Sequence, residues 1–233
     1  MREGSRIRAA RPLAGAVLVG LLVSAGCASH RAAAHYAPAS EVQGREALDA
    51  WASIRRRAEA LPPSRLLYDA RLSGKGVPAL PGTLAVTYDG SDVSRASLTG
   101  PFGSSVAEYA DGTLKSGGRH PFPVDPRLLK SVLAGAWPGD PGRIGGCDGA
   151  ACLLVFEGPI RANAVVDSKD ARLLSMRITG EAGALSVTYD GPAPSAWPER
   201  ISVEEEGRSR SLALRLVASE PVGETASPEG STP

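Results

Sequence analysis

The pattern of apolar and polar residues changes its period once along the chain. In residues 41–61 the apolar side chains recur at spacings of three and four, which is typical of an amphipathic helix, and Pro62-Pro63 ends the pattern. Beyond these prolines the period becomes two, as Tyr68, Ala70 and Leu72 alternate with polar neighbours. The pattern therefore predicts one helix followed by β-strands.

Further alternating runs extend toward the C-terminal part of the chain. The clearest lie at residues 84–88, 152–157, 160–166, 172–179, 185–189, 200–205 and 211–217. Asp89-Gly90 and Asp111-Gly112 are turn signals that join neighbouring strands into antiparallel hairpins. A second helix is predicted at residues 125–134, because an Asp stands at its cap position, a Pro follows, and Gly135 ends it.

About ten strands and two helices predict a mainly β fold with helices, of the α+β class, in which a large antiparallel sheet buries one face. A closed barrel and an open, curved half-barrel both meet this requirement. Aromatic residues make up only 5 % of the chain, so the buried face is aliphatic; such walls suit an acyl chain, and an ordinary filled core has the same composition. Alternation selects these candidates for the lining of an apolar cavity: Leu72, Leu84, Val86, Leu98, Met176, Ile178, Leu185 and Val187.

The N-terminal segment has the order of an export signal. Its basic residues precede an uncharged run at residues 12–26, which is too short for a comfortable membrane span. The sequence VSAGC at residues 23–27 resembles the lipobox of bacterial lipoproteins, whose cysteine is diacylated, cleaved and N-acylated, so Cys27 is the expected lipid anchor. Ala28 stands where an Asp would retain enteric lipoproteins in the inner membrane, and the resemblance therefore implies the periplasmic face of the outer membrane.

An ordinary secretory signal cut near Ala25 is the alternative, and it would leave Cys27 as a free thiol. The predicted organisation is a signal peptide at residues 1–26, an acylated cysteine with a flexible tether at 27–40, one domain at 41–218, and a disordered tail at 219–233. With Cys27 acylated, Cys147 and Cys152 of CDGAAC are expected to form a disulfide in the oxidising periplasm. A reactive or metal-binding pair is the alternative, but no second Cys or His cluster lies nearby.

Catalytic signals are scarce in this sequence. There is no G-x-S-x-G, H-E-x-x-H, P-loop or S-x-x-K motif, and the three histidines do not cluster. The formal net charge of +1 and the lack of a basic stripe with interleaved aromatics argue against a nucleic-acid partner. The three consecutive glutamates at 204–206 are interpreted as a solvated strand end and turn rather than as a metal site. We therefore expect a binding protein without cofactor or metal rather than an enzyme; a hydrolase with an unrecognised site is a weaker alternative.

Three segments resemble the LolA/LolB-like lipoprotein family in their order and spacing. They are TLAVTYDGSDVSRASLTGPFGSSVAEYADGTLKSGG, PFPVDPRLLKSVLAGAWPG and GALSVTYDGPAPSAWPERISVEEEGRSRSLALRLV, and the likeness covers most of residues 66–217. The resemblance implies an open, curved antiparallel sheet, a half-barrel, with helices over an apolar cavity. It also implies an outer-membrane receptor that accepts the acyl chains of lipoproteins from a periplasmic LolA-like carrier and inserts them into the membrane.

In that family a Pro-Leu-Gly loop between two strands protrudes, and its leucine inserts into the membrane. Pro101, Phe102 and Gly103 match this loop, and the resemblance assigns them the same role. A Phe102 folded over the sheet edge is the alternative. The rival class of function is a structural or assembly lipoprotein of the envelope with a filled core, which binds another envelope protein or a different lipid.

Overall fold

The computed structural model describes residues 36–74, 77–110, 112–116, 124–181, 183–191 and 196–222. The predicted signal peptide and Cys27 lie outside these residues, as do most of the predicted tether and tail. The described parts of the predicted tether and tail contain residues that form β-pairings. Ala37 forms a β-bridge with Cys147, and the last strand runs through residues 219–221, where the tail was expected to have begun.

The first helix, α1, spans Glu41–Glu59, and its start is fixed by a capping box. The Ser40 hydroxyl accepts from the Gln43 backbone N–H at 3.3 Å, and the Gln43 side-chain oxygen accepts from the Ser40 N–H at 3.1 Å. The helix buries one face, which includes Trp51 and Ile54, against the sheet. Trp51 packs against Phe156 with 5.0 Å between ring centroids, so α1 is anchored to the end of the strand that contains Phe156.

The sheet contains twelve strands. They are β1 Ser64–Gly74, β2 Val77–Tyr88, β3 Val93–Thr99, β4 Ser105–Ala110, β5 Thr113–Ser116, β6 Arg143–Asp148, β7 Ala151–Phe156, β8 Arg161–Asp167, β9 Arg172–Gly180, β10 Gly183–Asp190, β11 Arg200–Glu205 and β12 Arg210–Pro221. Their spatial order is β5-β4-β3-β2-β1-β12-β11-β10-β9-β8-β7-β6, and all neighbours are antiparallel.

The predicted α+β class and the open, curved antiparallel sheet are confirmed, but the predicted number of about ten strands is wrong. The clearest omission is β6, whose sequence RIGGCD resembles a loop because of its paired glycines. Gly145 and Gly146 are required there by close approaches: a Cβ on Gly145 would lie 2.8 Å from Leu153, and one on Gly146 would lie 2.4 Å from the Ala37 oxygen. The glycines therefore permit a strand where composition indicates a turn.

The antiparallel order sorts the connections between strands into two ends of the sheet. One end, here called the mouth, carries the connections β1–β2, β3–β4, β7–β8, β9–β10 and β11–β12. The opposite end, the base, carries β2–β3, β4–β5, β6–β7, β8–β9 and β10–β11. Any feature placed in a connection is thereby assigned to one end.

The second helix, α2, spans Pro126–Ala134 and packs on the concave face of the sheet. Asp125 caps it by accepting from the Arg127 N–H at 3.0 Å, and Gly135 ends it in the left-handed region at φ 64°. Leu129 and Leu133 are buried, and the Tyr189 hydroxyl donates to the Val132 carbonyl at 3.0 Å. The core therefore lies between α2, α1 and the concave face.

Candidate functional site

The loop predicted to protrude is a single short turn at Pro101–Gly103 between β3 and β4, at the mouth. Phe102 has left-handed backbone angles, φ 61° and ψ 23°, and the residue is fully exposed at 107 %. Such angles are uncommon for a bulky residue and mark a local constraint. The Gly100 N–H donates to the Ser104 carbonyl at 2.8 Å, and the Ser104 hydroxyl donates to the Pro101 carbonyl at 3.1 Å. These bonds close the loop while the Phe102 ring points into solvent.

A cavity of about 250 Å³ lies beneath this loop, and we call it the loop cavity. Strands β1 to β4 and the turn itself form it. Its walls are mostly apolar: Ala70, Leu72, Leu80, Pro81, Leu98, Pro101 and Val106, with Gly82, Thr99, Gly100, Ser104 and Ser105 completing it. The exposed ring and an apolar cavity thus lie together at the mouth.

A second cavity of about 550 Å³, the helix cavity, lies at the mouth between the start of α2, strand β5, the β7–β8 connection and strands β9 to β12. Its apolar lining consists of Leu114, Val124, Leu128, Pro159, Ile160, Ile178, Ala184 and Leu185. Gly180 and Gly183 also contribute, and six charged residues complete the lining. The combination of aliphatic walls with a few charged groups is typical of a site for an amphipathic ligand.

The centre of the concave face between these two cavities is filled. Only a void of about 10 Å³ remains there, and it shares Leu98 with the loop cavity and Leu114 with the helix cavity. Leu129 of α2 also lines this void. The loop cavity and the helix cavity are therefore both at the mouth, on either side of a packed centre.

The eight predicted lining residues fall into four groups. Leu72 and Leu98 line the loop cavity, whereas Ile178 and Leu185 line the helix cavity. Leu84 lines the small central void. The remaining three are packed in the core: Val86, Met176 and Val187.

Several lining residues were missed by the alternation pattern. Leu80 lies two positions before Gly82 on the concave face of β2, where Pro81 and Gly82 conceal the alternation. Ile160 lies in the connection before β8, and Leu128 lies on α2. The helical spacing of α2 could have identified Leu128, and the alternating run at residues 160–166 could have identified Ile160, which is in phase with the buried Ala162 and Ala164.

Cys147 and Cys152 lie directly opposite each other on β6 and β7, and their sulfurs are 2.07 Å apart. Their connection is at the base, so the disulfide is remote from both cavities. Residues of the described ranges form no group of three or more His, Cys, Asp or Glu side chains that could hold a metal ion. In the same ranges, no helix has the length and apolar character required to cross a membrane.

No protein-family model and no curated protein sequence matches this chain. Among solved structures, the chain is similar to a LolA superfamily protein from Nitrosomonas europaea, at 12 % identity and a TM-score of 0.50, over 74 % of this chain and 94 % of that one. A DUF1329 family protein from Desulfovibrio piger has 9 % identity and a TM-score of 0.47, over 78 % and 94 %. A domain assigned to outer membrane lipoprotein sorting from Vibrio parahaemolyticus has 12 % identity and a TM-score of 0.47, over 81 % and 95 %. The first of these likenesses shows that the chain has a LolA-like fold.

Proposed function

We propose that this chain is a lipid-anchored envelope protein that binds acyl chains at the mouth of its sheet and delivers lipoproteins to the outer membrane, as a LolB-type receptor does. One observation carries the proposal: the loop cavity, the helix cavity and the exposed Phe102 all lie at the same end of the sheet. A ligand released from either cavity would emerge beside an apolar side chain suited to entering a bilayer.

Binding of this kind requires no catalytic group. Each methylene moved from water into an apolar cavity contributes about 0.8 kcal/mol, so a chain of ordinary lipid length binds through burial alone. The aliphatic walls of both cavities meet that requirement. We accordingly propose that the protein is not an enzyme, and that the direction of transfer depends on unequal affinities of a LolA-like carrier and this chain for the same acyl chains.

Anchoring is proposed to occur through Cys27, which the lipobox resemblance identifies as the acylated residue. Three acyl chains on one cysteine would hold the protein stably at the membrane, whereas a single chain binds only marginally. Residues 28–40 precede α1 and would connect the anchor to the domain. This arrangement would hold the protein at the outer membrane.

A second function is favoured by one specific observation, the packed centre of the concave face. The largest buried side chains of the described residues include Trp51, Tyr68, Leu84, Leu129 and Leu133, and the void that Leu84 and Leu129 help to line measures about 10 Å³. A protein with a filled core could serve as a structural or assembly lipoprotein that binds another envelope protein. The two functions differ in whether the mouth cavities take up acyl chains.

Binding of a fluorescent fatty acid and a synthetic triacylated cysteine peptide to the full chain separates the two functions. Leu185→Trp fills part of the helix cavity and should weaken binding roughly tenfold, because the displaced chain length loses its burial. Thr188→Trp is the matched control, since Thr188 is exposed on the same strand. If wild type binds neither probe, or both variants bind equally, the acyl-binding function is refuted.

The role of Phe102 can be tested by Phe102→Glu in the full chain. The residue is wholly exposed, so the thermal unfolding midpoint should stay nearly unchanged. Delivery of bound lipopeptide to vesicles should fall, because a carboxylate resists entry into the apolar boundary of a bilayer. Phe102→Leu restores the residue type of the family loop and should retain delivery. Marked destabilisation of the Glu variant, or undiminished delivery, would contradict the proposed role.

A further inference from the structure

Charged residues are unevenly distributed around the helix cavity. Six of them line it: Asp125, Arg127, Glu181, Glu205, Arg208 and Arg210. The Arg127 guanidinium makes a two-point contact with Asp125, at 2.7 and 3.2 Å, so these two charges neutralise each other. The hydrogen bond from Arg127 also lowers the pKa of the Asp125 carboxyl, which therefore favours its ionised form. The remaining four residues are Glu181, Glu205, Arg208 and Arg210, and the charge of Glu181 also contributes to the raised pKa of Arg127.

On the β11–β12 side, two arginines share a single carboxylate. Glu205, whose side chain is only 10 % exposed, contacts Arg208 at 2.9 Å and Arg210 at 2.7 Å. Arg210 is 18 % exposed, whereas Arg208 is 61 % exposed. One positive charge is therefore in excess on this side, and Arg208 is the guanidinium with free donors toward solvent.

On the β9–β10 side, the excess charge is negative. Glu181 is exposed and has no ion pair with any residue that the structure describes. Glu181 lies in the turn between β9 and β10, and this turn is next to the β11–β12 turn. Leu185 lies opposite Glu205, and the Glu206 N–H donates to the Ala184 carbonyl at 2.9 Å. The mouth of the helix cavity thus has a positive and a negative side above one set of apolar walls.

We infer that the helix cavity binds a zwitterionic phospholipid, with the phosphate at Arg208 and Arg210, the ammonium group at Glu181, and an acyl chain along Ile160, Ile178 and Leu185. Arginine donors match phosphate oxygens well, and charge-assisted hydrogen bonds are stronger than neutral ones. The inference rests on the proposed acyl-binding function and extends it to a second ligand class. A triacylated, N-acylated cysteine has neither a phosphate nor a free amine, so it would leave both sides of the rim unused.

The test compares the binding of three soluble short-chain lipids to the full-length protein: a phosphatidylethanolamine, a phosphatidylglycerol and a diacylglycerol. All three carry the same acyl groups. Calorimetric titration should rank the phosphatidylethanolamine first and the diacylglycerol last. Arg208→Gln should weaken both phospholipids roughly tenfold and leave the diacylglycerol unchanged. Glu181→Gln should weaken only the phosphatidylethanolamine. Glycerophosphoethanolamine, the head group without chains, should compete at least about a hundredfold less well than the intact lipid, because it buries no methylenes.

Arg65→Gln and Glu220→Gln are matched controls, since these exposed residues lie opposite each other on β1 and β12 at the base. Neither should alter the ranking of the three lipids. Equal affinity for all three lipids, unchanged affinities in Arg208→Gln and Glu181→Gln, or equal binding of the free head group would each overturn the inference while the acyl-binding function stands. If the diacylglycerol and both phospholipids all fail to bind, the proposed function itself fails.

Discussion

Two strands of this protein carry nearly the same seven residues and have different roles. LAVTYDG occupies residues 84–90 of β2 and the turn after it, and LSVTYDG occupies residues 185–191 of β10 and the turn after it. In both copies the valine is buried on the concave face, and the strand ends at the base with a glycine of positive φ, 99° at Gly90 and 115° at Gly191. The shared sequence therefore determines a strand, its buried face and its end.

The leucines of the two copies differ in what lies above them. Leu84 is 1 % exposed and lies against Leu129 of α2 around the small central void. Leu185 is only partly buried, because it lies at the rim of the helix cavity beside the start of α2. The position of α2 over the sheet thus makes one leucine part of the core and the other part of a candidate binding site.

The tyrosines differ in the same way. Tyr88 packs edge-on against Trp197, with 5.2 Å between ring centroids, and its hydroxyl donates to the Gly90 carbonyl of its own turn at 2.9 Å. Tyr189 donates to Val132, a carbonyl in the last turn of α2 that has no partner within the helix. One tyrosine stabilises its own hairpin, and the other joins the helix to the sheet.

The largest expected difference between the copies concerns the leucines. Leu84→Ala should lower the free energy of unfolding by about 2–5 kcal/mol, since it opens a cavity in a packed region. Leu185→Ala should cost about 1 kcal/mol or less, because its side chain already borders open space. Chemical denaturation of both variants measures the difference. Equal losses would mean that Leu185 is as tightly packed in solution as Leu84.

The tyrosines should differ by a smaller amount. Tyr189→Phe leaves the buried Val132 carbonyl without its donor and should cost about 1–3 kcal/mol. Tyr88→Phe should cost about 0.5 kcal/mol, because the Gly90 carbonyl lies in a turn that water reaches. Comparing the two denaturation midpoints checks this order, and a larger loss for Tyr88→Phe would contradict the assignment of Tyr189 as the bond between α2 and β10.

The alternation of side chains was sufficient to predict the sheet, its buried face and the two helices, since period and turn residues are local properties. The alternation could not predict that Leu84 is fully buried and Leu185 only partly buried. That difference depends on the position of α2 over strands that are distant from it in sequence. The strand β6 was missed for a related reason. Its glycines are required by the neighbouring Leu153 and Ala37, and those contacts are not local in sequence.

The candidate site was only partly predictable. Phe102 was identified because Pro101, Phe102 and Gly103 match the protruding loop of the family that the sequence resembles, but the charged rim was not identified. The three glutamates at 204–206, interpreted as a solvated strand end and turn, have different environments. Glu204 is exposed, Glu205 turns inward to two arginines, and Glu206 pairs with Arg177 at 2.7 Å. Strand alternation explains why the Glu205 side chain lies on the opposite face of the sheet from Glu204. Its arginine partners are close to it because β12 pairs with β11, which the local sequence does not reveal.

A third tyrosine sharpens the comparison, since Tyr68 is fully buried and its hydroxyl has no hydrogen-bond partner among the described residues. Burial raises the pKa of Tyr68, so the hydroxyl stays protonated throughout the ordinary range. An unpaired buried hydroxyl is destabilising, so Tyr68→Phe should raise the free energy of unfolding by about 1 kcal/mol. Tyr189→Phe is the control, because it removes a hydrogen-bonded hydroxyl and should lower the free energy of unfolding instead. A loss of stability in Tyr68→Phe would show that its hydroxyl is bonded in solution.

The smallest expected effect concerns the aspartates that end the two copies. The Asp89 carboxylate accepts from the backbone N–H groups of Asp92 and Ser91 and from the Ser91 hydroxyl, each at 2.8 Å. In the other copy Pro192 stands where Ser91 stands, and proline has no N–H to donate. The sequence of the β10 copy therefore lacks the two donors that Ser91 supplies.

These hydrogen bonds, first those from the Asp92 and Ser91 backbones and then that from the Ser91 hydroxyl, lower the pKa of Asp89 to about 2. The folded-state pKa is below the unfolded value of about 3.9, so the stabilisation is present above pH 4 and is lost as the pH falls from about 4 to about 2. Between about pH 4 and about pH 2 the thermal unfolding midpoint should therefore fall less in Asp89→Asn than in the wild type. Ser91→Ala should show an intermediate decrease. An unchanged pH profile in Asp89→Asn would show that the turn does not hold the carboxylate in its charged form.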